Sequence, residues 1–195
     1  SITSKIAGML YKLSQRRASK IFFQNEEDRG FFLSQKIVDI SMTDRLPGSG
    51  VDLKRFYHSP SPDDGVVRFL LVARMLYDKG IGQYIEAARH LKLKYGNNVE
   101  FRLLGFLDVN NPSAVTKEDM QSWVNEGIVI YLGTSDNVES EIAKADCMVL
   151  PSYYREGIPK SLLESGAMGK PIVTTNNVGC RETVDDGING FLCIP

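Results

Sequence analysis

The chain has 195 residues, 43% of them hydrophobic and 24% charged, with a formal net charge of −1. That balance gives an ordinary globular chain with enough apolar material for a core, and its near-neutral charge argues against a general nucleic-acid binder. No apolar run approaches membrane-spanning length, and His58 and His90 are isolated, so neither a metal cluster nor a local Ser-His-Asp arrangement can be assembled.

Residues 1–20 contain Lys5, Lys12, Arg16, Arg17 and Lys20 and no acid. Ile6, Leu10 and Leu13 recur at helical spacing, so the segment reads as a basic amphipathic helix. It suits either a membrane surface or, more simply, packing against another domain. Ile21-Phe22-Phe23 reads as a short strand whose open edge favours self-association. Asn25-Glu26-Glu27-Asp28 then starts a helix with acids in its first turn. Gly48-Ser49-Gly50 invites a dinucleotide-binding fingerprint, but the third glycine is missing and Asp52-Leu53-Lys54-Arg55 follows, so that motif is rejected. Ser59-Pro60-Ser61-Pro62-Asp63-Asp64-Gly65 has linker composition.

From Val66 onward, apolar runs alternate with helical patterns. Phe69 to Ala73 is a continuous apolar run, as for a parallel strand covered on both faces. After it come Arg74 and Lys79-Gly80, then Ile81, Tyr84, Ile85, Ala88 and Leu91 at helical spacing. The pattern predicts strands over 99–104, 128–132, 147–150 and 172–174, with helices over 117–125 and 138–145 and another opened by Pro159. Such alternation means an α/β fold, a parallel sheet flanked by helices with right-handed crossovers. Cys147, Cys180 and Cys193 are an odd set without metal-like spacing, and they read as reduced core thiols of a cytoplasmic protein.

Two stretches carry chemistry. Glu156 and Glu164 are separated by seven residues across a Gly157-Ile158-Pro159 turn. Proline suits a first helical position because its missing N–H has no partner there. A helix opened after a buried strand offers backbone N–H groups and a favourable dipole to an anion. The bland alternative is an acid placed near a helix end for dipole reasons alone, worth about 0.3–1 kcal/mol. Upstream, Arg74 and Lys79 sit on either side of a short strand-to-helix loop, at the strand edge where open α/β sheets bind ligands. The Arg can grip phosphate oxygens as a fork and the Lys adds a point charge, although either cation alone reads as ordinary solvated surface. Together the four residues fit a ligand with phosphates in the middle and hydroxyl-rich groups on both sides.

Arg74-x4-Lys79-Gly80, Pro151-Ser152-Tyr153-Tyr154-Arg155-Glu156-Gly157-Ile158-Pro159-Lys160-Ser161-Leu162-Leu163-Glu164, Gly169-Lys170-Pro171-Ile172-Val173 and Gly187-Ile188-Asn189-Gly190-Phe191-Leu192 together resemble the family-four retaining glycosyltransferases. The resemblance implies the donor-binding half of a GT-B fold, a Rossmann-like domain over 51–195. Residues 1–50 are then a trailing helix and strand of the acceptor-side domain plus a crossover at 45–52. It further implies that Arg74 and Lys79 hold the donor diphosphate, that Glu156 contacts the sugar hydroxyls, and that Glu164 holds the ribose diol. Backbone around Gly157, Ile158, Pro159 and Lys160 would meet the sugar and phosphates, and Thr134 lies near the base. Many members have Gly where this chain has Pro159, which removes one backbone donor. Gly166 also weakens its helix by roughly 1 kcal/mol relative to Ala.

The Pro variant, with Gly179-Cys180-Arg181-Glu182, resembles the branch that adds N-acetylhexosamines or related sugars to lipid-linked glycans. Arg74, Lys79 and Glu156 are the implied catalytic residues. No cofactor or metal is expected beyond a nucleotide-sugar donor, UDP being the expected nucleotide, and the Asp-x-Asp metal motif is absent from the sequence. The expected partners are that donor and a glycan or lipid-linked acceptor at the inner face of the membrane, with no nucleic acid. By family analogy a complete enzyme needs about twice this length, so the chain is expected to be a piece with little transfer activity alone. Two alternatives remain: a nucleotide-sugar-binding module without chemistry, and a GT-B sugar-nucleotide epimerase.

Overall fold

A computed structural model of the chain describes residues 2–107 and 109–195. The chain divides into two compact units, residues 1–50 and 51–195. In the first, helix α1 (Ile2–Gln15) precedes strand β1 (Ile21–Phe23), helix α2 (Glu26–Ser34) and strand β2 (Thr43–Arg45). The basic helix thus stops at Gln15, short of the expected Lys20, and its Ile6, Leu10 and Leu13 are all exposed. Asn25 caps α2 by accepting the Asp28 N–H at 2.8 Å, one of the donors that a helix start leaves unpaired. β1 pairs in parallel with β2, with Ile21 opposite Thr43. Phe32 packs edge-on against Tyr11 and Phe23, so the small unit is held by an aromatic cluster.

The second unit contains β3 (Val67–Val72), α3 (Ile81–Tyr95), β4 (Val99–Leu104), α4 (Lys117–Asn125), β5 (Ile130–Tyr131), α5 (Val138–Ala143), β6 (Cys147–Leu150), α6 (Lys160–Ala167), β7 (Ile172–Thr175) and β8 (Gly190–Cys193). Its six strands are all parallel, in the order β5-β4-β3-β6-β7-β8. Counted from β3 that order is 3-2-1-4-5-6, the doubly wound arrangement of nucleotide-binding sheets. Leu70, Leu71, Leu103 and Met148 are buried, as central strands covered on both faces require. On α3 the residues Ile81, Tyr84, Ile85 and Ala88 are buried and Leu91 partly so, which is the face the periodicity predicts. The Tyr84 hydroxyl lies 2.9 Å from the Phe69 carbonyl and 3.1 Å from that of Arg102, pinning α3 to the two strands beneath it.

Several boundaries differ from expectation. The strand expected over 128–132 is paired only at Ile130–Tyr131, because Ile128 N–H turns back to the Trp123 carbonyl and Leu132 lies past the last ladder pair. Helix α5 ends at Ala143, two residues early, where Ala145 N–H closes a tighter turn onto Ile142. Pro159 is the N-cap of α6 and not its first helical residue: its ψ of 122° is extended, and its carbonyl receives the Leu162 and Leu163 N–H groups. Strands β2 and β8 lie outside the expected set: Thr43-Asp44-Arg45 carries no apolar run, and Gly190–Cys193 opens on a glycine. No helix among the described residues is long and apolar enough to cross a membrane.

Candidate functional site

β3 and β6 are neighbours in the sheet, yet the crossover from β3 leads to β4 on one side and that from β6 to β7 on the other. Beyond the carboxyl ends of such a pair the two following loops separate and leave a crevice, where ligands bind in this class of sheet. Arg74 and Lys79 lie on the loop after β3, and Glu156 on the loop after β6.

The two loops are locked by backbone. Gly80 has φ 79°, and a Cβ there would stand 2.1 Å from the Pro151 carbonyl oxygen, so only glycine allows this approach. The Asp78 carbonyl accepts the N–H groups of Tyr153 at 3.2 Å and Tyr154 at 3.3 Å. Ser152 Oγ lies 3.1 Å from that carbonyl and 2.8 Å from Glu156 Oε1. With one proton to give, the hydroxyl favours the carboxylate, the stronger acceptor. From below, Thr175 donates to the Ser152 carbonyl, and Thr174 to that of Leu150 at 2.6 Å. On the far side Gly179, with φ 83°, packs so closely on the Glu156–Gly157 segment that a Cβ would fall 1.5 Å from the Gly157 oxygen.

Within this frame Lys79 Nζ forms an ion pair with Glu156 Oε1, the two side chains being only 15% and 13% exposed. Such shielding makes each partner costly to remove alone, since the other is left as an uncompensated charge. The Lys79 ammonium also lies 5.9 Å from the Tyr154 ring centroid, within cation–π range. Helix α6 begins four residues after Glu156, and helix geometry leaves the N–H groups of Lys160 and Ser161 without an intrahelical acceptor. Gly157 is exposed, whereas the Ile158 side chain is buried and can offer only its backbone.

Glu164 lies about one turn along α6 and is nearly buried, 3.6 Å from Lys160 Nζ. Burial pushes its carboxyl above the ordinary glutamate range; Lys160 and Arg55 pull it down, and Glu139 pushes it up. Arg74 is exposed and lines a cleft of about 320 Å³ together with Val72, Gly105, Phe106, Thr134 and Asp136. The structure therefore sorts the expected residues into groups: Lys79 with Glu156, Arg74 with Thr134, and Glu164 with Lys160. Cys147 is buried and its thiol is pushed up to about 11 by desolvation, which suits a core residue.

Sequence reasoning missed Ser152, the Asp78 carbonyl and Arg55. Ser152 stood inside the quoted motif with no role attached. Arg55 Nη2 donates to the Asp136 carbonyl at 2.6 Å and Nε to Glu139 at 2.8 Å. No local pattern announces such pairings, which join residues about eighty positions apart.

The family profile described as "Glycosyl transferases group 1" matches residues 56–195. Among curated proteins, the chain is similar to the N,N'-diacetylbacillosaminyl-diphospho-undecaprenol alpha-1,3-N-acetylgalactosaminyltransferase of Campylobacter jejuni, with 31% identity over 95% of this chain and 50% of the relative. It is also similar to the amylovoran biosynthesis glycosyltransferase AmsK of Erwinia amylovora, with 30% identity over 65% of this chain and 32% of the relative. The chain thus spans half the length of the first relative, and its match covers about a third of the second. Among solved structures, Anabaena Alr3699/HepE in complex with UDP superimposes with a TM-score of 0.78 at 23% identity, over 95% of this chain and 52% of that one. This likeness shows the fold, that of the GT-B glycosyltransferases.

Proposed function

Because the chain belongs to the glycosyl transferases group 1 family, we propose that it supplies the donor-binding half of a retaining glycosyltransferase. Its donor is UDP-hexose or UDP-N-acetylhexosamine, and the acceptor of the whole protein is a lipid-linked glycan at the inner face of the membrane. The observation that carries this reading is the shielded Lys79–Glu156 pair, set on backbone-locked loops at the sheet's point of reversal. The name of the Campylobacter relative, which specifies a diphospho-undecaprenol acceptor and an N-acetylgalactosaminyl group, supports the acceptor and sugar class.

In this reading Arg74 and Lys79 hold the diphosphate, and Glu156 orients the sugar hydroxyls. An ammonium has three donors, so Lys79 can serve Glu156 and a phosphate oxygen together. That links the sugar end of the ligand to its leaving group. As the glycosidic bond loosens, negative charge grows on the departing nucleoside diphosphate. Arg74, Lys79 and the N–H groups at the start of α6 stabilise it without reorganising, and they do the work a metal would otherwise do. Glu164, whose ionised form Lys160 and Arg55 favour against the effect of burial, accepts the ribose hydroxyls. The Gly157, Ile158, Pro159 and Lys160 backbone borders the sugar and phosphates, and Thr134 borders the base. The acceptor enters on the face from which UDP leaves, which retains the anomeric configuration. Residues 1–50 belong to the acceptor-side domain.

Calorimetric titration with UDP tests the diphosphate assignment. Arg74→Ala and Lys79→Ala should each weaken binding roughly tenfold or more; unchanged affinity in both would remove it.

A further inference from the structure

Arg55 sits on the turn that opens the second unit, and its neighbour Phe56 is buried in the core. The fork of Arg55 reaches across to the loop after β5 and the first turn of α5. There Nη2 donates to the Asp136 carbonyl at 2.6 Å and the guanidinium pairs with Glu139 at 2.7 Å. That segment forms one wall of the Arg74 cleft through Thr134, Ser135, Asp136 and Val138. On the other side Asn137, Glu139 and Ser140 line a second cleft with Arg55 and Met168.

Val138 packs against the core, but among the described residues the wall has few polar holds of its own. Its entry is tied where Gly105 N–H meets the Gly133 carbonyl at 2.7 Å. Within it Asn137 N–H bonds Ser135 Oγ at 3.0 Å, and the Asn137 side chain makes no cap bond to α5. The long-range hold on its middle comes from the fork of Arg55. Two bonds from one planar group fix both the position and the tilt of what they hold, which a single ammonium cannot do.

Resting on the reading of the site given above, we infer that Arg55 is a positioning residue for the nucleoside end of the donor. It holds the 134–139 segment in place beside Arg74. Its charge also bears on Glu164, where Lys160 and Arg55 favour the ionised carboxylate and Glu139 opposes it. Removing Arg55 leaves Glu139 uncompensated on that side.

A plain surface ion pair would have little effect on anything, and the test separates that case. Uridine and UDP are titrated by NMR into the wild-type chain and into Arg55→Ala, Arg55→Lys and Lys79→Ala, across pH 5 to 8, with a melting curve for each. Arg55→Ala should weaken uridine and UDP by the same factor, about tenfold, while its melting point stays close to wild type. Lys79→Ala should weaken UDP far more than uridine. The acid limb of binding should move to higher pH in Arg55→Ala and remain in place in Arg55→Lys, which keeps the charge without the fork. Wild-type affinity in Arg55→Ala overturns the inference, as does a loss confined to UDP or a loss matched by a collapse in melting point. A wild-type chain that binds neither compound overturns the reading of the site itself.

Discussion

Two stretches of the same sheet edge are built in opposite ways. After β3 and β6, backbone meets backbone: Gly80 lies against Pro151, the Asp78 carbonyl takes two N–H groups from the facing loop, and Gly179 presses on Gly157. After β5, the 134–139 segment is mostly exposed or half-exposed and is held from outside by one arginine fork. The difference follows the chemistry. Groups that stabilise charge during reaction act best when they are already in place, which suits the role proposed for Lys79 and Glu156 on the rigid part. In the proposed reading, recognition of the nucleoside end falls to the softer part, where a wall can be retuned without disturbing the leaving-group site.

Alanine at two glycines should break this comparison most sharply. At Gly80 the new Cβ meets backbone at 2.1 Å, whereas at Gly133, also at positive φ, nothing lies within 4 Å. Denaturant unfolding should show Gly80→Ala losing about 3 kcal/mol and Gly133→Ala about 1 kcal/mol. Equal losses would mean that the two edges are equally rigid.

Side-chain charge gives the next largest contrast. Replacing Lys79 by Met strands the shielded Glu156 carboxylate, and stability should fall by about 2 kcal/mol. Arg74→Ala removes an exposed side chain and should change stability by less than about 0.5 kcal/mol, while still weakening UDP. Urea titrations of both variants check the pair.

The smallest expected effect comes from Glu164. Its carboxyl is raised in the folded chain, chiefly by burial, so folding favours the protonated form. That contribution is fully present below the ordinary glutamate value of 4.5 and is lost as pH rises through the raised value. Glu164→Gln should therefore melt slightly higher than wild type at pH 7, the two curves converging below pH 4.5. A lower melting point at pH 7 would show that the carboxylate is stabilising there.

Much of this architecture is legible in the sequence because it rests on local periodicity. The apolar run at 69–73 and the helical spacing from Ile81 mark a strand, a loop and a helix, and Arg74 and Lys79 can only fall on the loop between. Pro151 and Pro159 bracket the Glu156 loop in the same way. What sequence conceals is anything settled at long range. The direct pairing of Lys79 with Glu156 joins residues expected at different parts of a ligand. Asp78 acts through its carbonyl, which every residue possesses, so nothing in its identity betrays the role. Thr175 reaches the Ser152 carbonyl beneath Glu156 only because β6 and β7 are adjacent. Strand β2 is polar in sequence and β8 opens on a glycine, and each is defined by its partner strand.

The most direct test is a crystal structure of this chain with UDP. The diphosphate should lie outside the carboxyl ends of β3 and β6, with its oxygens in hydrogen-bond reach of Lys79 and Arg74 and the ribose beside Glu164. A nucleotide bound elsewhere, with the Lys79–Glu156 pair facing only solvent, would contradict the assignment.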